Sequence, residues 1–143
     1  MLTREHLQPL AKVRLTEAGL LFDQGHPSGA YYLAGYAAEL GLKAVLAGRF
    51  RGDEIPDKGF VNSIYTHSLA TLVDRAGLKA DLEARQRQDQ KFATNWEVVK
   101  DWNEDSRYEI ILEGDARELL EALSADPVSG VFQWIQMHWL KAV

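Results

Sequence analysis

The stretch Gly29-Ala-Tyr-Tyr-Leu-Ala-Gly-Tyr-Ala-Ala-Glu-Leu-Gly-Leu-Lys-Ala-Val-Leu-Ala-Gly48 constrains this chain more than any other. Glu39 and Lys43 are its only charged residues, and the rest is apolar on almost every side. A helix of that kind has no face to give to water, so it must be buried between other helices. Ala34, Gly35, Ala37, Ala38 and Gly41 let neighbouring backbones approach closely, which offsets the roughly 1 kcal/mol that each helical glycine costs relative to alanine. The two charges stand four residues apart with the glutamate first, the favourable order for an ion pair along one face.

The flanking segments supply the layers. From Thr3 to Asp23, Leu7, Leu10, Ala11, Leu15, Ala18 and Phe22 recur at steps of three and four, marking an amphipathic helix. Pro9 fits only a first helical turn, so the regular part is expected to begin there, with Thr3 to Gln8 as a lead-in. Gln24 to Ser28 combines a glycine stop, a proline and a serine cap, so the central helix starts near Ser28 and runs antiparallel to the first. Arg49 to Ile64, with Gly52, Pro56 and Gly59 and no sustained period, reads as the longest loop. A helix from Thr66, its expected cap, to Ala76 turns Leu69, Leu72 and Val73 inward, and Gly77 ends it. One further helix spans Ala80 to Asp101, with Phe92, Trp96 and Val99 on its inner side.

Trp102 to Gly114 is a break whose apolar run Ile110-Ile111-Leu112 has the composition of a short strand but no partner strand in the sequence. Asp115 to Leu123 is helical. Asp126-Pro127 is expected to cap a final helix reaching about Lys141 and carrying Val131, Phe132, Trp134, Ile135 and Trp139. If that helix is apolar on two faces, one needs an external cover, and a second copy of the chain is the simplest one. The whole reads as one all-α domain, residues 1–143, an antiparallel helical bundle of about five helices.

The 143 residues suffice to bury a core without metal or disulfide help. The lack of cysteine removes disulfides, thiolate zinc sites, iron–sulfur clusters and a cysteine nucleophile, and is compatible with a reducing compartment. Charge in Met-Leu-Thr-Arg-Glu-His, where a signal peptide needs an apolar run, and the lack of a membrane-length apolar stretch point to the cytoplasm and to no membrane partner. A net charge of −5 disfavours RNA or another nucleic acid as a non-specific partner. The most basic strip, Lys79 to Lys91, is interrupted by Asp81, Glu83 and Asp89 and reads as a solvated helix face. Walker-type loops, Gly-x-Ser-x-Gly elbows and paired-histidine zinc helices are absent from the sequence.

Taken together, the Gly29–Ala44 stretch with Glu39 and Lys43, then Tyr65-Thr-His67-Ser-Leu, then Trp102 followed by Arg107-Tyr108, resemble the prokaryotic HEPN domain family over nearly the whole chain. That resemblance implies a HEPN-like antiparallel bundle, frequently dimeric, in families that include metal-independent ribonucleases, toxins paired with minimal nucleotidyltransferases, and inactive versions. The catalytic members carry arginine, four to six residues, then histidine. Here His6 follows Arg4 too closely, while His26, His67 and His138 stand much further from Arg14, Arg51 and Arg117. The pattern matters because ribonuclease chemistry needs a proton-transferring group and a cation for the phosphorane charge in one site.

The sequence therefore leads to a catalytically silent HEPN-like domain acting through association. Its expected partners are a second copy and a nucleotidyltransferase or a toxin–antitoxin or defence protein, with nucleotide binding near Glu39, Lys43, His67 and Arg107 compatible. The rival is a ribonuclease whose His67 and Arg107 are brought together by folding, so enzymatic activity stays open. Glu39, Lys43, His67, Arg107 and Tyr108 are the candidate ligand or partner residues. Glu39 and Lys43 read equally as a structural ion pair, and His67 as a base, an anion ligand or a backbone-bonded ring. No second histidine or carboxylate stands at a recognisable ligand spacing, so neither a metal nor a cofactor is expected. Trp96, Trp102, Trp134 and Trp139 read as core, interface or base-stacking residues.

Overall fold

The computed structural model describes residues 2–50 and 55–139. Helix α1 (Arg4–Asp23) starts at Thr3, whose side chain accepts from the His6 N–H, and it continues through Pro9. The expected lead-in is thus already helix. An exposed proline this early deletes one backbone bond, and the Thr3 cap is enough to start the helix ahead of it. The chain reverses at Gly25, which adopts a φ of 82° that only glycine takes without strain. Helix α2 (Pro27–Ala47) then returns along α1, its most extensive neighbour. Pro27 occupies the first position, so Ser28 lies inside the helix, where its Oγ accepts the Ile111 N–H at 2.9 Å instead of capping.

Close approach around α2 is the core of the fold. A Cβ added at Gly35 would lie 2.2 Å from the Trp102 ring, so only glycine admits that indole. Trp139 donates from Nε1 to the Gly41 carbonyl at 2.9 Å, which ties the last described helix to the central one.

Three further expectations change. Residues 58–64 of the expected loop form α3 (Lys58–Ile64), because Asp57 accepts the Phe60 N–H at 3.0 Å and Phe60 packs edge-on against Phe50; Gly52 lies outside the described residues. Helix α4 (Leu69–Arg75) is capped by Ser68, whereas Thr66 accepts the Ser68 N–H and shapes the turn before it. The expected helix Ala80–Asp101 divides into α5 (Lys79–Gln88) and α6 (Gln90–Lys100). Asp89 is extended between them and caps α6 by accepting the Phe92 N–H, while its other oxygen accepts from the Ser129 hydroxyl at 2.7 Å. A side chain that satisfies a new helix start and an outside donor makes the break worthwhile.

After α6, Glu104–Tyr108 make a 3-10 turn, Glu109 and Leu112 are extended, and α7 (Glu113–Ser124) follows. Among the described residues nothing pairs with the 109–112 segment as a sheet. Asp126 does not cap a helix directly; its Oδ1 accepts the Val128 and Ser129 N–H groups in a turn, and α8 (Val131–Trp139) begins beyond it. Lys141, the expected end, lies outside the described residues.

The product is an all-helical bundle of eight α-helices among the described residues. Trp96, Trp102, Trp134 and Trp139 are all buried within the chain, which removes them as base-stacking platforms. Helix α8 packs on α2, α6 and α7 with its aromatic side chains buried within the chain, while Met137 on it stays exposed. No helix of the described residues is long and apolar enough to cross a membrane.

Candidate functional site

Glu39 sits on the buried side of α2 with 1% of its surface exposed. A carboxylate there needs partners, because an unpaired buried charge is strongly disfavoured. Lys43, one turn later, donates from Nζ to Oε2 at 3.1 Å. Its other oxygen, Oε1, meets Nδ1 of His67 at 2.8 Å. His67 reaches it from the turn between α3 and α4 that Thr66 and Ser68 shape. The second ring nitrogen, Nε2, faces Oε2 of Glu104 at 3.0 Å. Glu104 is placed by the 3-10 turn, whose start is fixed by the Asn103 side chain accepting the Asp105 N–H at 2.9 Å.

Two turns distant in sequence are thereby stitched to α2. A neutral imidazole has one N–H and satisfies one carboxylate, whereas a doubly protonated ring donates to both. A general base needs an unoccupied nitrogen directed at its substrate. Both nitrogens of His67 are already engaged.

Arg107 and Tyr108 lie on the outer side of the same 3-10 turn and are exposed. The guanidinium carbon of Arg107 stands 4.8 Å from the Tyr108 ring centroid. Contact with the phenol of Tyr108, and then of Tyr32, pushes the Arg107 pKa above its ordinary value, and the charge of Glu104 adds to this. Tyr32 packs on Tyr36 and Trp102 at centroid distances of 6.0 and 6.2 Å. Burial raises the Tyr36 pKa, and the nearby negative charge of Glu39 raises it further.

The structure thus brings Glu39, Lys43 and His67 into direct contact and sets Arg107 and Tyr108 beside them, across Glu104. Glu104, Tyr32 and Tyr36 were not foreseen. The tyrosines were readable, since 32, 36, 39 and 43 form one stripe at steps of four and three. Glu104 carried no signal, because its role depends on a residue 37 positions earlier in a different turn.

Elsewhere, His138 on α8 is buried, with Nε2 3.4 Å from Asp81 Oδ1 and its ring edge-on to Trp134. An open groove of about 490 Å³ between α1 and α2 is lined by Glu17, Leu20, Leu21, Gln24, His26 and Leu33, and shares no residue with the Glu39 network. No group of three or more histidine, aspartate or glutamate side chains among the described residues is arranged to hold a metal ion. No known family, curated protein or solved structure matches the chain.

Proposed function

We propose that this chain is a catalytically silent HEPN-like domain of the cytoplasm that works through protein association. It pairs as a homodimer and with a second protein of the nucleotidyltransferase, toxin–antitoxin or defence type. The observation that carries the non-catalytic half is the double engagement of His67 by Glu39 and Glu104. A ring held between two carboxylates is a structural tie, and the carboxylates repel the phosphodiester that a ribonuclease must bind. The family assignment rests on the central-helix residues and the Arg107-Tyr108 pair, and the associative role on that resemblance together with the net charge of −5.

Nucleotide binding is a second reading, favoured by one feature. Arg107, stacked on Tyr108 and in contact with Tyr32, offers a phosphate a cation and a base an aromatic face. It has room at the surface without involving His67.

RNA cleavage by the wild type beside His67→Ala and Arg107→Ala tests the first claim. The expected result is no cleavage above background in any of the three. Robust wild-type cleavage abolished by either substitution would establish the rival ribonuclease using His67 and Arg107. Mass measurement in solution at micromolar concentration tests the homodimer, and a monomeric mass removes it.

A further inference from the structure

The segment Glu109–Leu112 is extended at both ends, and among the described residues no strand pairs with it. Glu109 and Leu112 have φ/ψ of −115°/153° and −74°/152°. Side chains alternate across such a backbone. Tyr108, Ile110 and Leu112 are 76%, 93% and 70% exposed, whereas Ile111 is half-buried. Single exposed apolar residues are ordinary, but Ile110 and Leu112 at alternate positions, next to Tyr108 at the end of the 3-10 turn, put three large exposed apolar side chains within five residues. The ridge is also held in place. The Ile111 N–H is tied to Ser28 Oγ at 2.9 Å, the Glu109 N–H to the Ser106 carbonyl, and the Asp115 N–H to the Leu112 carbonyl. An interacting segment that is already ordered loses little entropy on binding.

The charge around the ridge decides what can cover it. Residues 104–118 hold six acidic side chains against Arg107 and Arg117, a net −4 within a chain of net −5. A second copy docked here would bring two such runs within a Debye length, about 8 Å at physiological salt, and be repelled. A segment with apolar residues at alternate positions and lysine or arginine between them meets both the ridge and the charge.

We propose that residues 108–115 are a docking edge for an extended, basic segment of a different protein, which lays its apolar side chains along Ile110 and Leu112 and its basic ones against the acidic residues around them. This rests on the associative reading above and assigns it a surface and a partner chemistry. The homodimer proposed above uses another face.

The probe is a capped peptide of about eight residues alternating lysine and valine, long enough at roughly 3.3 Å per residue to span the segment. Two controls replace its lysines by glutamate or its valines by serine. Titration into the isotope-labelled full chain, followed by amide NMR shifts, is expected to perturb residues 108–115. Binding is expected to be about tenfold or more tighter than for either control, equivalent to about 1.4 kcal/mol. Ile110→Ser and Glu109→Lys are each expected to weaken it several-fold without changing the melting temperature, since both side chains are exposed.

No binding, equal binding of the controls, shifts centred elsewhere, or unchanged affinity in Ile110→Ser overturns the proposal. So does a dimer that Ile110→Ser converts to monomer, because a second copy would then occupy the edge. A monomeric wild type that still binds the peptide at 108–115 ends the homodimer and leaves this edge intact, so the two failures are distinguishable.

Discussion

The 3-10 turn at Glu104–Tyr108 has two sides that handle polar and apolar groups in opposite ways. On its inner side Glu104 closes a network with His67, Glu39 and Lys43, in which each carboxylate faces a nitrogen of a basic side chain. On its outer side Tyr108 begins an apolar ridge that the described part of the chain leaves uncovered, with acidic residues around it. The difference teaches where to look for function. A set of ionisable residues converging in space is usually the first candidate for a site, and here those residues face one another. The less conspicuous segment leaves Tyr108, Ile110 and Leu112 exposed, which is what the proposed docking edge uses.

Substitution should separate the two sides by size of effect. The largest is expected for Gly35→Ala, just beneath the turn. The added methyl gains roughly 1 kcal/mol of helix propensity but must displace the Trp102 ring that a Cβ would meet at 2.2 Å. Overpacking against a rigid indole at so close an approach costs about 4 kcal/mol, beyond the usual range, so the net loss is about 3 kcal/mol with a lowered melting temperature.

Next is Glu39→Ala, which strands Lys43 and His67. A loss of about 2–3 kcal/mol in denaturant unfolding is expected, below the full range for breaking a buried pair because the His67 side chain is 43% exposed and can rehydrate. His67→Ala should cost less, about 1 kcal/mol, and a double-mutant cycle between the two should show coupling. Additivity there would mean that the network is not a unit, and the contrast between the two sides of the turn would fail.

Acid provides a smaller effect away from both. The Lys91 ammonium, then the Ser129 and Val128 N–H groups, hold the Asp126 carboxyl down to about 2 from its usual 3.8. A carboxylate depressed on folding stabilises the fold above its unfolded value, and that contribution is lost as pH falls through the folded one. The stability gap between wild type and Asp126→Asn should therefore be full above pH 3.8 and shrink toward pH 2. A gap constant over that range would dismiss the Lys91–Asp126 tie as a contributor. The smallest effect belongs to the ridge: Ile110→Ser should change stability by no more than about 0.5 kcal/mol. A larger loss would mean that the ridge packs inward and is not a free edge.

Periodicity made most of the helices legible, since amphipathic spacing at Leu7 to Phe22 and at Phe92 to Val99 reports directly which face is buried. Boundaries were less legible where a side chain had a choice of partners. Ser28 and Asp126 both look like caps. Ser28 instead accepts from Ile111, 83 residues away, and Asp126 from its own turn. Asp89 looks like an ordinary solvated helical residue and is the break between α5 and α6, because Ser129 waits across the fold to bond it.

By itself the sequence determined that Gly29–Gly48 lies at the centre of a helical bundle, because a helix with no polar face can be satisfied nowhere else, and it marked Glu39 and Lys43 as the exceptions. Only the tertiary structure decided what those exceptions do. Burial obliges Glu39 to find donors, but which ones depends on how two distant turns are laid against α2, and no local spacing encodes that the donors include His67 or that Glu104 closes the far side.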